Sequence, residues 1–103
     1  MNIFELSSEN FDEFLLTKNK TILIDFYANW CSPCKIFSKT IEQIASTSDN
    51  SLIIGKINVD DNQDLVQKYH ISSIPTVLIF KNGSILKTLV GLKSKKEILS
   101  YLE

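Results

Sequence analysis

The sequence predicts an α/β fold, a central mixed sheet flanked by helices on both faces, in the order βαβαβαββα. Three observations carry this expectation. Strand-like and helix-like segments alternate through most of the chain, which implies parallel pairing through helical crossovers. The run "TILIDFYA" is β-branched and aromatic and apolar nearly throughout, as suits a strand covered on both faces. The tetrad "KNGS" carries the Asn-Gly signal of a two-residue turn, so the last two strands form an antiparallel hairpin.

Taken in order, residues 2–6 make a short edge strand. "ENFDEFLLTK" has Phe11, Phe14 and Leu15 at helical spacing, and Asn10 with Glu13 has the form of a capping box. Beyond "TILIDFYA" and a pair of cysteines, Phe37, Ile41, Ile44 and Ala45 fall at i, i+4, i+7 and i+8, marking an amphipathic helix to about Ser48. "SLIIGKINV" is the next strand. Asp61 is placed to cap a short helix bearing Leu65, Val66 and Tyr69, and "PTVLIF" and "SILKTLV" are the strands of the hairpin. Ser94 and Glu97 repeat the capping-box pattern ahead of Ile98, Leu99 and Leu102.

At 103 residues, with no internal repeat, low-complexity tract or linker, one domain over residues 1–103 is expected. A formal net charge of −1 gives no electrostatic footprint for nucleic acid or an anionic membrane. The start "MNIFELSSENFDEF" lacks the basic and apolar regions of a secretory signal, and no segment approaches the roughly 18 apolar residues of a membrane span. A cytoplasmic location is therefore expected. In a reducing compartment, paired cysteines serve as redox, catalytic or metal-binding groups more often than as a staple.

The only two cysteines, Cys31 and Cys34, stand in "NWCSPCK", where a strand gives way to a helix. Pro33 suits the first helical turn. The unpaired N–H groups and dipole of that turn favour negative charge, so the Cys31 thiolate is expected to be stabilised and its pKa lowered. Cys34 is close enough to attack a mixed disulfide formed at Cys31 and to release the substrate as a dithiol. The bland alternative is a pair of small buried residues at a helix start. Zinc is the other chemical reading, but a structural site wants four ligands and only His70 remains, at the expected end of a helix, so no metal is expected.

Asp25, inside "ILIDFY", is expected to be buried, and a buried carboxylate costs several kcal/mol unless it is paired or its pKa rises. The alternative is an edge position facing water. Lys56, between Gly55 and Ile57, is either its partner or a side chain reaching out from the sheet's rim. Pro75 opens the strand "PTVLIF", and residue physics leaves its peptide bond open between cis and trans. No GxGxxG is present and three glycines are too few for a nucleotide or flavin site, so no cofactor is expected.

"DFYANWCSPCK", "KINVD", "ISSIPTVLIFKNG" and the Val90-Gly91 pair resemble the thioredoxin family in order and spacing, over nearly the whole chain. The resemblance implies a thiol-disulfide oxidoreductase that reduces protein disulfides and is recharged by a thioredoxin reductase. It implies Cys31 as nucleophile, Cys34 as resolving thiol, and Asp25 as a buried carboxylate moving the Cys34 proton, with Lys56 as its neighbour. It makes Pro75 a cis-proline facing the dithiol, and Trp30, Val59, Ile74 and Gly91 a flat apolar surface for a client's extended segment. Disulfide-containing clients, such as peroxide- or ribonucleotide-reducing enzymes, and a monomeric state are expected.

Three positions depart from the family. Ser32 replaces the usual glycine between the cysteines and, with Pro33, is expected to tune the redox potential. Lys39 stands where a proline commonly kinks the long helix, so a straighter helix is expected. Ser72 and Ser73 replace a frequent basic residue and glycine, which bears on partner preference. The competing functions are an exchanger dedicated to one partner, a glutathione-coupled protein, against which the absence of an aromatic in "CSPC" counts, and a binding or chaperone module with an incidental dithiol.

Overall fold

In a computed structural model, residues 3–102 are described, and they form five strands, four α-helices and one 3₁₀ turn. The strands are β1 (Ile3–Leu6), β2 (Thr21–Tyr27), β3 (Leu52–Asn58), β4 (Thr76–Lys81) and β5 (Ser84–Val90). The helices are α1 (Phe11–Leu15), α2 (Ser32–Thr47), α3 (Gln63–Lys68) and α4 (Lys95–Ser100). The element order is the expected one. Residue 2 of the expected first strand lies outside the described residues.

The sheet runs β1-β3-β2-β4-β5, with β1, β3 and β2 parallel and β4 and β5 antiparallel to their neighbours. Strand β2 is therefore central and β1 lies at an edge, as expected. Side chains alternate across the sheet. Ile22, Ile24 and Phe26 join Phe11 of α1 and Leu65 of α3 in one buried cluster. Leu23 and Ile79 join Phe37, Ile41 and Ile44 of α2 and Ile98 of α4 in the other. Both faces are covered, which explains why β2 reads as a continuous apolar run.

Local signals act as expected in three places. Asn82 and Gly83 both take positive φ, 55° and 81°, which gives the tight turn that sets Lys81 opposite Ser84. Ser94 Oγ accepts a hydrogen bond from the Glu97 N–H at 3.1 Å, capping α4. His70 lies just beyond α3, exposed and left-handed at φ 55°, a position that ends helices.

Two expected caps are corrected. Asn10 Oδ1 accepts from the Ser7 N–H at 2.8 Å, so it closes the turn before α1 and leaves that helix without a side-chain cap. Spacing to Glu13 says nothing of a nearer donor that competes for the same oxygen. Asp61 belongs to a 3₁₀ turn, Val59–Asp61, and α3 begins two residues later after Asn62. Asn62 is itself buried, accepting from the Ser8 N–H at 2.9 Å and donating to the Asn58 carbonyl at 2.9 Å, which draws the chain into the extra turn.

Gly55 is where β1 and β2 close over β3. A Cβ there would sit 3.1 Å from Ile24 Cδ1 and closer still to Leu6 Cδ1. Gly55→Ala is expected to destabilise the fold by about 1–3 kcal/mol through overpacking, read as a lower urea midpoint at unchanged slope; an unchanged midpoint would mean that Leu6 moves aside freely.

Candidate active site

Register alone brings the singled-out residues to one end of the sheet. Tyr27 at the end of β2 pairs with Asn58 at the end of β3, so the segment leading to the dithiol lies beside Val59 and Asp60. Because β4 is antiparallel to β2, its first residue, Thr76, pairs with Phe26 and sets Pro75 at the same end. Thr76 also pairs with Val90, and the Gly91 N–H donates to the Pro75 carbonyl at 2.8 Å.

Cys31 is the N-cap of α2, and its Sγ accepts from the Cys34 N–H at 3.2 Å. A sulfur in that position meets the positive end of a helix, which favours thiolate over thiol once the pair is reduced. Here Cys31 and Cys34 are joined as a disulfide with Cα atoms 5.2 Å apart, both about 5% exposed. Ser32 and Pro33 between them are exposed. Cys31 Sγ lies 3.9 Å from the Ile74 carbonyl oxygen, and the Ile74–Pro75 bond is cis, the alternative that residue physics had left open.

Trp30 is 69% exposed, yet its indole is held: Nε1 donates to Asp60 Oδ2 at 2.9 Å. Trp30, Val59, Ile74 and the two loop serines, Ser72 and Ser73, line one shallow groove of about 240 Å³. Val59 is buried at the floor of that groove, whereas Trp30 stands at its rim. Exposed Leu92 follows Gly91, which extends the apolar surface on the side of Pro75.

Asp25 is 1% exposed, and its Oδ1 is the one buried side-chain oxygen or nitrogen without a hydrogen-bond partner among the described residues. It shares the sheet face of Leu23, the face that α2 covers. Burial pushes its carboxyl up from 3.8 to about 7, against the pull of the Lys56 ammonium and with a further push from Glu5. Lys56 is its register neighbour on β3. No ion pair joins them, since the one ion pair among the described residues is Lys68 to Asp12 at 4.0 Å. The ammonium donates to Ser38 Oγ at 3.3 Å and lies 4.6 Å from the Tyr27 ring centroid. Lys56 acts on Asp25 through space, and both expected roles are present in part. Lys56, Tyr27, Ser38 and Cys34 line a common cleft of about 190 Å³.

Asp60, Ser38 and Tyr27 are site residues that the sequence reading missed. Ser38 had a signal, being four residues after Cys34 on the same helical face, and so had Tyr27, two residues after Asp25 on the same strand face; Asp60 is brought in by the pairing of β2 with β3.

A thioredoxin family model matches residues 2–103. The chain belongs to the thioredoxin family. It is 42% identical over 101 residues to the thioredoxin of Buchnera aphidicola subsp. Acyrthosiphon pisum (strain APS), covering 98% of this chain and 94% of that one. It is 39% identical over 100 residues to the thioredoxin of Chlorobaculum thiosulfatiphilum, covering 97% and 93%. The bifunctional thioredoxin reductase/thioredoxin of Mycobacterium leprae (strain TN) is 38% identical over 98 residues, covering 95% of this chain and 21% of that protein. As a family member with an intact cysteine pair, the chain is a thiol-disulfide oxidoreductase acting as a protein-disulfide reductase. No helix among the described residues is long and apolar enough to cross a membrane.

The raised Asp25 pKa carries a stability consequence. The folded chain keeps this proton between pH 3.8 and about 7 while the unfolded chain loses it, so stability falls as pH rises through that window and levels above it. Asp25→Asn is expected to stabilise the oxidised protein by roughly 3–4 kcal/mol at pH 8, shrinking toward zero near pH 4. Urea titrations at the two pH values read the difference; equal gains at both would place the carboxyl pKa in its ordinary range.

Proposed function

We propose that this thioredoxin-family chain, one domain over residues 1–103, reduces client disulfides with Cys31 as nucleophile and Cys34 as resolving thiol. The observation that carries this assignment is the Cys34 N–H donating to Cys31 Sγ at the helix start, while Cys34 itself lies further inside the turn. The Cys31 thiolate attacks a client disulfide, forming a mixed disulfide and releasing one client sulfur as a thiolate, which takes a proton from solvent. Cys34 then loses its proton and attacks Cys31 Sγ. The Cys31–Cys34 bond forms, the mixed disulfide breaks and the second client sulfur leaves.

Asp25 takes the Cys34 proton, a role supported by its burial on the α2 face and by a pKa near neutrality. Lys56, beside it in register, steadies the carboxylate as it forms. Trp30, Val59, Ile74, Pro75 and Gly91 receive the client's extended segment, and the Ile74 backbone beside Cys31 is the place for strand pairing. Ser32 and Pro33, exposed in the first turn, tune the potential. Electrons arrive from a separate thioredoxin reductase, by exchange at the same dithiol; a relative in which the two activities are fused supports such a pairing. The chain works as a cytoplasmic monomer, and disulfide-forming enzymes of peroxide or ribonucleotide reduction are suitable clients.

Insulin reduction with dithiothreitol as electron source tests the assignment. Cys31→Ser is expected to reduce the catalysed rate to background, and Cys34→Ser to accumulate mixed disulfides with insulin that dithiothreitol releases. Catalysis at the wild-type rate by Cys31→Ser would overturn it.

A further inference from the structure

Along one row of the sheet, on the face that α2 covers, the register places Glu5 of β1 beside Lys56 of β3, and Lys56 beside Asp25 of β2. Lys56 thus stands between two carboxylates, one exposed at the sheet's edge and one buried at its centre. Val77 on β4 and Leu89 on β5 complete the row and bring no charge. Tyr27, two residues along β2 from Asp25, ties the outer half together. Its phenol donates to Glu5 Oε2 at 2.7 Å, and its ring lies under the Lys56 ammonium, 4.6 Å from the centroid.

We propose that Glu5 is a positioning residue of the proton route, which holds Tyr27 beneath the Lys56 ammonium from the sheet's edge and sets a second negative charge in the row of Asp25. The inference rests on the assignment of Asp25 as the Cys34 proton acceptor. With Glu5 holding Tyr27, the ring lies under a Lys56 ammonium that donates to Ser38 Oγ and makes no ion pair with either carboxylate. Burial and the Glu5 hydrogen bond also raise the Tyr27 phenol well above its ordinary range, so it stays a donor to Glu5 at every working pH. The other groups facing this row are Ser38, Lys35 and Cys34 on α2, and Asp61, from the 3₁₀ turn, which acts on Tyr27.

The consequence has a sign. Removing the Glu5 charge takes away a repulsion felt by ionised Asp25, which favours the carboxylate. Two inter-strand spacings put Glu5 about 10 Å from Asp25, close enough for an effect of roughly half a pH unit at low salt. Glu5 is exposed on an edge strand, so Glu5→Gln keeps the hydrogen-bonding shape and the fold.

The test is a carbon-13 NMR titration of the Asp25 side-chain carboxyl in oxidised wild type and Glu5→Gln, at low ionic strength and in 1 M salt. The expected result is a midpoint lower by roughly half a unit in the variant, with the gap closing at 1 M salt, where the Debye length is about 3 Å. Coincident midpoints at low salt, or a gap that salt leaves unchanged, would overturn the proposal. Resolution of a preformed Cys31 mixed disulfide by wild type and Asp25→Asn separates this from the parent reading: equal rates and pH profiles refute Asp25 as the proton acceptor, whereas a slowed Asp25→Asn with coincident Glu5→Gln midpoints refutes only the role of Glu5.

Discussion

The burial of one carboxylate at the centre of the sheet is the constraint on which the rest of this structure turns. Asp25 sits on β2, the middle strand, with β3 and β4 on its two sides and α2 across its face. Water is kept away from it on all of these sides, and the cost of ionising it is what lifts its pKa to about 7. A surface aspartate would be ionised throughout the physiological range and would have no proton to exchange there. A fold that wanted stability alone would place an apolar residue at this position, so the carboxyl is a stability cost, and the proposed proton transfer gives it a use.

The same sheet order assembles the dithiol end of the molecule. Parallel β2 and β3 end together, antiparallel β4 begins where they end, and β5 returns to the same level, so four loops meet at one end. The loop after β2 runs into α2 and sets Cys31 at a helix start; the loop before β4 brings the Ile74 carbonyl to it. Neither cysteine needs a long or mobile segment to reach its partner groups, because the rigid elements end where the chemistry is required.

Much of this was legible in the sequence because the signals were local. A run such as "TILIDFYA" reports two-sided burial directly, and a charged residue within it can lie only in the core or at a strand edge. The Asn-Gly turn and the Ser94 cap are equally local, each fixed by residues within four positions of one another. The misreadings were local patterns overruled by a competitor: Asn10 bonded backward to Ser7, and a 3₁₀ turn displaced the start of α3 past Asp61. The place of Glu5 in the row with Lys56 and Asp25 was illegible for a different reason. Parallel register joins residues many positions apart, and no spacing within "IFELS" or "GKINV" records which of them will stand side by side. For Lys56 the sequence offered partner or rim, and the structure has it steering through space while hydrogen-bonded to Ser38.

The central claim is that Asp25 accepts the Cys34 proton, and single-turnover resolution of a preformed Cys31 mixed disulfide tests it most directly. Measured by stopped flow across pH 5.5 to 9, the wild-type rate is expected to rise with an inflection near pH 7, where Asp25 ionises. In Asp25→Asn that inflection should vanish, leaving a slower rate that climbs toward the ordinary thiol range near 8.5. An inflection near pH 7 that survives in Asp25→Asn would contradict the account.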